Sequence, residues 1–350
     1  MFMVNSALFF LRLLKARLTH KFIPLVMQFN VTNNCNSRCS YCYAKYYERE
    51  HKDLDTKSVF YIIDELAKAG TQRLSLVGGE PLLRKDIGQI IDYIKSKGME
   101  CTMTTNGYFI PEKLKECKKL DLLCISLDGS EESHDANRGQ GSFLKAMEAI
   151  RVACENHVSI QTSTVLTKNN LKDLAFLIDT AKTYNFYLTF TPMITQVCEG
   201  GKKAVDELLP SIQEYKAILR QIIQEKKKGA PILFASKVYE HSYNWKDFSN
   251  DKIMGETPDF KYIKCNAGRY SAIIDANADL YPCPQLVGVI KVKNILKVGL
   301  KEAWEYINNH NCKTCFSPCS NNLNLLLSLD AAVIYDLVKC YSGKKFKLNE

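Results

Sequence analysis

The sequence predicts an α/β fold: a parallel sheet of about six strands, open or curled into a partial (β/α) barrel, with a small cysteine-rich C-terminal domain. Three observations predict it. Apolar strand-like runs alternate with helix-periodic segments across residues 25–192. Several of the helical segments end in Gly or Asn, as helices that hand over to a strand do. From Cys265 onward the alternation gives way to Gly, Pro and clustered Cys. Strict strand–helix alternation implies right-handed crossovers between parallel strands, and in such folds ligands gather at the carboxyl ends of the strands.

The first periodic stretch, residues 7–18, puts Ala7, Phe10, Leu11, Leu14 and Leu18 on one helical face with Arg12, Lys15 and Arg17 around it. It is too short and too charged to span a bilayer. Two roles are open to it: peripheral contact with the inner face of a membrane, drawn by anionic lipids, or cover for the base of the barrel. Strands are expected at 26–31, 74–77, 101–104, 122–127, 159–166 and 187–191, with helices at 58–69, 87–97, 143–156 and 171–184. A polar helix is expected over 205–228, where Lys226, Lys227 and Lys228 suit the helix dipole as a solvated end before Gly229. Residues 323–338, apolar but interrupted by Asp330 and Asp336, read as a buried helix. The chain then divides into an amphipathic helix (1–24), a core barrel (25–200), a helical linker (201–259), the cysteine-rich domain (260–320) and a C-terminal helix (321–350).

With 46% hydrophobic and 24% charged residues in 350, the chain folds by burial and is not a disordered one. The formal net charge of +9 comes from scattered Lys and Arg with no long basic tract, so no nucleic-acid partner is expected. Fourteen cysteines follow no signal-peptide pattern, which points to the reducing cytoplasm, where clustered thiols are read as metal ligands. Cys101, Cys117, Cys124, Cys154 and Cys198 stand alone and are read as small buried apolar residues.

Cys35, Cys39 and Cys42 follow the first expected strand, separated by three and then two residues. Three sulfurs at such spacing can hold three irons of a cubane and leave the fourth iron open to a non-protein ligand. The alternative is zinc, with His51 completing a tetrahedron, although zinc's usual signature pairs cysteines two residues apart on each side of a finger. After the second strand comes Gly78-Gly79-Glu80-Pro81. Two glycines let backbone approach a ligand closely, and a carboxylate matches an ammonium.

From about residue 26 to 192 the chain resembles the radical S-adenosylmethionine (SAM) superfamily. Cys35, Cys39 and Cys42, with Tyr41 directly before the third, match its cluster loop, and Gly78, Gly79 and Glu80 match its motif for the methionyl amino group. The resemblance implies a [4Fe-4S] cluster with SAM at its open iron and Tyr41 packing by the adenine. Asn106, Ser126 and Asp128, at the ends of the third and fourth strands, would lie along SAM, and Asn169 or Asn170 near its ribose. It also implies an electron donor such as flavodoxin or ferredoxin, and hydrogen abstraction from a substrate by a 5′-deoxyadenosyl radical. That half-reaction demands no general base, so His20, His51, His134, His157, His241 and His310 are read as surface or capping residues.

Cys265 and Cys283 frame an expected hairpin with its turn at 275–279, and Cys312, Cys315 and Cys319 follow. This arrangement resembles the SPASM extension or its one-cluster form, twitch. Ala278 stands where that family usually has Gly. The resemblance implies one auxiliary [4Fe-4S] cluster on Cys265, Cys283, Cys312 and Cys315, with Cys319 as a replacement ligand or a spectator; zinc is the alternative. The substrate is left open among lipid or isoprenoid, peptide and sugar. The rival class is a non-catalytic iron–sulfur or zinc protein acting as a redox sensor.

Overall fold

The computed structural model describes residues 3–42, 44–45, 48–49, 52–194, 206–248 and 250–341. His51 and Cys198 lie outside them. In chain order the elements are α1 (Met3–Leu18), β1 (Val26–Asn30), α2 (Thr56–Ala69), β2 (Arg73–Val77), α3 (Ile87–Ser96), β3 (Glu100–Thr105), α4 (Leu114–Cys117), β4 (Leu122–Ser126), α5 (Glu131–Arg138), α6 (Ser142–Glu155), β5 (Ile160–Leu166), α7 (Leu174–Tyr184) and β6 (Tyr187–Pro192). There follow α8 (Ile212–Lys227), α9 (Ser236–Tyr243), β7 (Lys252–Met254), β8 (Ser271–Ile274), β9 (Leu280–Tyr281), α10 (Ile295–Val298), α11 (Leu300–Ile307), β10 (Cys312–Cys315), α12 (Pro318–Leu327) and α13 (Ala331–Tyr341).

The six expected parallel strands form one sheet, and the hairpin extends it: the order is β6-β5-β4-β3-β2-β1-β8-β9. β8 runs parallel beside β1, Val26 against Ser271, and β9 returns antiparallel to β8. This makes β1 an interior strand, and both of its faces are buried. β7 and β10 form a separate antiparallel ribbon with an irregularity between Cys312 and Thr314.

Local chemistry sets the helix ends. Asp55 accepts the Ser58 N–H at the start of α2, and Gly70 (φ 96°) closes it in the left-handed region. Val59, Ile62, Ile63 and Leu66, at three- and four-residue spacing, bury its inner face. The helix expected over 205–228 begins only at Ile212, because Ser211 and Glu214 form a reciprocal capping box directly after Pro210. The stretch 323–338 is two helices, not one, since Leu329 takes a left-handed turn (φ 61°) between α12 and α13.

α1 covers the base of the sheet, by a different face from the expected one. Leu13 and Ala16 are buried with Leu25, Val26, Tyr270 and Leu327. Arg12 donates to the Gly70 carbonyl (2.8 Å) and Arg17 to that of Leu327 (2.9 Å). Leu11, Leu14 and Leu18 point outward.

Candidate functional site

At the carboxyl ends of β2 to β6 lies a chamber of about 440 Å³, closed on its other side by the segments that carry the second cysteine set. Cys35, Cys39, Cys42, Cys265, Cys283, Cys312, Cys315 and Cys319 all line it, as do Tyr41, Gly78, Gly79, Asn106 and Ser126. Residues up to 284 positions apart thus meet in one cavity. Among the described lining residues Arg138 is the one charged side chain.

The first cysteine loop is held from outside the chamber. Asp53 accepts from the Thr32 hydroxyl (2.6 Å), the Asn33 N–H (2.9 Å) and the Asn34 amide (3.0 Å). Arg84 donates to the Val31 carbonyl (2.7 Å). The two glycines fit against this loop: the Gly79 N–H donates to Thr32 O (2.8 Å), and the Glu80 N–H donates to Asn34 O (2.8 Å). A Cβ at Gly79 would stand 2.2 Å from Asn34 O, and one at Gly78 (φ 132°) 2.5 Å from Thr32 O. The glycines are therefore required by the approach of the cysteine loop, a reason the sequence alone did not supply. Asn106 donates to Asn36 (2.8 Å) and to Ser37 (3.1 Å), tying the end of β3 to the same loop.

Glu80 and Asp128 are not among the described residues that line the chamber. Both are fully buried. Glu80 accepts from the Leu82 N–H (3.0 Å), the Thr105 hydroxyl (2.8 Å) and the Asn106 N–H (2.8 Å), and burial raises its carboxyl even so. Asp128 accepts from Tyr41 Oη (2.5 Å), Arg138 Nε (2.7 Å) and the Val165 N–H (3.1 Å). Donors of the wall bond to both groups, which thereby hold Tyr41, Asn106 and Arg138 in place. Asn170 is likewise taken up by its own turn, accepting the Thr167 N–H and donating to Val165 O, while Asn169 donates to Asn137.

Arg138 was missed, since nothing in the α5 sequence distinguishes it from a surface arginine. Its guanidinium pairs with Asp128, lies 5.4 Å from the Tyr41 ring centroid and has Nη1 3.9 Å from Cys39 Sγ. Asp53 was missed for the same reason. Of the histidines read as surface or capping residues, His134, His241 and His310 are largely enclosed and bonded to backbone. The Asp128 N–H donates to His134 Nδ1 (3.1 Å), and burial lowers that imidazole to about 4, keeping it neutral.

Burial pushes the Cys35 thiol up to about 11 and raises Cys39 as well, against the opposing pull of Arg138. In the second set Cys265 is lowered by the hydrogen bond from Cys312, which is itself raised. Burial raises Cys283 to about 12 and also raises Cys315; both feel the charge of Cys265. Cys319, an exposed residue, has no such coupling to the four. Thiolates this desolvated need a positive partner, and iron bound at the chamber wall would supply one. Among the described residues no three His, Cys, Asp or Glu side chains form a set that could hold a single metal ion as they stand.

The model of the Radical SAM superfamily matches residues 29–181. The chain is 28% identical over 270 residues to Fe-coproporphyrin III synthase of Methanosarcina barkeri, an alignment that covers 71% of this chain and 64% of the relative, just under two thirds of its length. It is 27% identical over 291 residues to mycofactocin maturase MftC of Mycolicibacterium smegmatis, covering 81% of this chain and 70% of the relative. Its fold is similar to that of Streptococcus suis SuiB bound to S-adenosylmethionine, with a TM-score of 0.66 at 16% identity over 85% of this chain and 70% of that one.

Proposed function

We propose that this chain, which belongs to the radical SAM superfamily with a SPASM/twitch-type C-terminal region, abstracts a hydrogen atom from a substrate held in the chamber between its two cysteine sets. The single observation that carries the proposal is that one cavity is lined by both sets together with Gly78, Gly79, Asn106 and Ser126. Cys35, Cys39 and Cys42 would hold the first cluster; when bound with SAM, it supplies the electron that yields methionine and a 5′-deoxyadenosyl radical. Cys265, Cys283, Cys312 and Cys315 would hold the auxiliary cluster, a choice supported by their shared place on the chamber wall, with Cys319, an exposed residue on the same wall, as a replacement ligand or a spectator.

The protein's own residues orient and enclose. Arg138, the one charged side chain among the described residues of the wall, matches the SAM carboxylate, and its pairing with Asp128 fixes the guanidinium plane. Tyr41, locked by its bond to Asp128, offers a ring edge for the adenine. Val26, Val77, Val165, Pro192, Pro282 and Leu323 exclude water and stray hydrogen donors from a radical. This apolar lining favours a substrate that presents an aliphatic or conjugated carbon skeleton over a sugar. The names of similar proteins, Fe-coproporphyrin III synthase and SuiB bound to precursor peptide SuiA, support a tetrapyrrole or a peptide as that skeleton, and an isoprenoid fits the same wall. An electron donor such as flavodoxin or ferredoxin and a cytoplasmic location belong to the proposal. No described helix is long and apolar enough to cross a membrane.

The test is anaerobic reconstitution followed by chromatography of 5′-deoxyadenosine with dithionite as reductant. Reductive SAM cleavage that Cys35→Ala abolishes is the expected result. Equal yield from that variant, or clusters without any cleavage, would overturn the proposal, the second outcome in favour of a redox sensor.

A further inference from the structure

We infer that the outer stripe of α1 is a docking surface for an anionic lipid bilayer. This goes beyond the chemistry proposed above and does not depend on it. α1 has two apolar faces. Phe9, Leu13 and Ala16 pack inward, and Arg12 and Arg17 tie the helix to carbonyls of the body. At about 100° per residue, Ala7, Leu11, Leu14 and Leu18 form a second stripe on the opposite side. Leu11 is 64% exposed, Leu14 45% and Leu18 73%, with Leu8 at 42% and Phe22 at 40% beside them. A helix already anchored by its inner face gains no folding stability from leucines on the outer one, and a contiguous exposed stripe marks an interaction site.

Charge identifies the occupant. Residues 1–24 contain Arg12, Lys15, Arg17 and Lys21 and no Asp or Glu. Lys15 and Arg17 flank the stripe on either side, and the Arg269 guanidinium lies 5.4 Å from the Phe22 ring. Leucines that enter the acyl boundary while flanking cations reach anionic head groups describe an interfacial helix. A second copy of the chain fits poorly, since stripe-to-stripe contact would bring Lys15, Arg17 and Lys21 against their own counterparts.

The full chain is floated with vesicles of phosphatidylcholine alone and of phosphatidylcholine rich in phosphatidylglycerol. It is expected to float with the anionic vesicles, weakly or not at all with the neutral ones, and less as salt rises. Leu11→Ser/Leu14→Ser/Leu18→Ser should cut anionic partitioning by at least about tenfold, and its unfolding midpoint should stay within about 2 °C because the positions are exposed. Lys15→Gln/Lys21→Gln, both on exposed side chains, should cut the anionic arm alone and keeps the test decisive if the serine variant misfolds. Equal flotation of parent and variants, no flotation of the parent, or a dimer in sedimentation that the serine variant dissolves would each overturn the inference.

Discussion

The two cysteine sets line one chamber but are built in opposite ways. Cys35, Cys39 and Cys42 lie within one loop, clamped from behind by Asp53 and Arg84 and from the side by Gly78 and Gly79. Cys265, Cys283, Cys312 and Cys315 come from a loop, the strand end after β9 and the β10 ribbon, and they meet only when the hairpin is paired to β1 and β10 to β7. The first set is a local structure that the fold presents; the second is a product of the fold. Metal bound at the second set would therefore couple to folding, because closing long loops costs entropy that ligation offsets, whereas metal bound at the first set would couple to chemistry.

The sharpest way to break this contrast is to remove each set separately. The triple alanine variant of Cys35, Cys39 and Cys42 should lose SAM cleavage entirely and keep about one cubane of iron and sulfide, by the four-thiolate rule. The matching variant of Cys283, Cys312 and Cys315 should lower the unfolding midpoint and the soluble yield more than the first does. Iron and sulfide assays with thermal unfolding check both. If the first variant is the less stable one, the contrast is reversed.

Next in size is Asp128, the buried hub behind the first set. Asp128→Ala leaves Arg138 buried without its partner and Tyr41 without its acceptor, a loss of roughly 3–5 kcal/mol by analogy with broken buried ion pairs. Denaturant titration reads this directly. A cost under about 1 kcal/mol would mean that Arg138 finds water in the chamber and that Asp128 is not the hub.

His134 sharpens the same region through pH. Its folded value, about 4, lies below the unfolded value of about 6.5, so the unfolded chain binds the extra proton between them. The neutral imidazole's contribution is fully present above about pH 6.5 and is lost as pH falls toward 4, by about 3 kcal/mol. His134→Gln should flatten the pH slope of stability in that window. An unchanged slope would assign the acid lability to other groups.

The sequence made the first set legible because its chemistry is local: three thiols in one loop, and Gly78 and Gly79 at the end of the next strand. The strands were legible as well, through apolar runs such as residues 122–127 between helix-periodic segments. Residue type at a strand end did not reveal whether a carboxylate turns to the cavity or into the wall. For Glu80 and Asp128 that is decided by donors on Thr105, Asn106, Tyr41 and Arg138, which only tertiary contact supplies. Which face of α1 packs on the body was not legible for a similar reason: the leucine stripe is the wider one, but Leu25, Tyr270 and Leu327 lie beneath Leu13 and Ala16.

The smallest expected effect lies in the second region, at the hairpin turn that helps to carry Cys283. Ala278 sits at φ 73°, where an L side chain is strained, and it stands where the resembled family usually has Gly. Its methyl is also fully buried in the main core. Ala278→Gly would relieve about 1 kcal/mol of backbone strain but lose about 0.8 kcal/mol of methyl burial, and glycine adds freedom to the unfolded chain. These terms nearly cancel, so the unfolding midpoint should move by no more than about 2 °C, with iron content and SAM cleavage unchanged. Ala278→Val, β-branched in the same conformation, should instead cost at least about 2 kcal/mol and lower the iron held by the second set. If glycine stabilises the turn by well over 1 kcal/mol, the buried methyl contributes little, and the hairpin is packed more loosely than its place beside β1 implies.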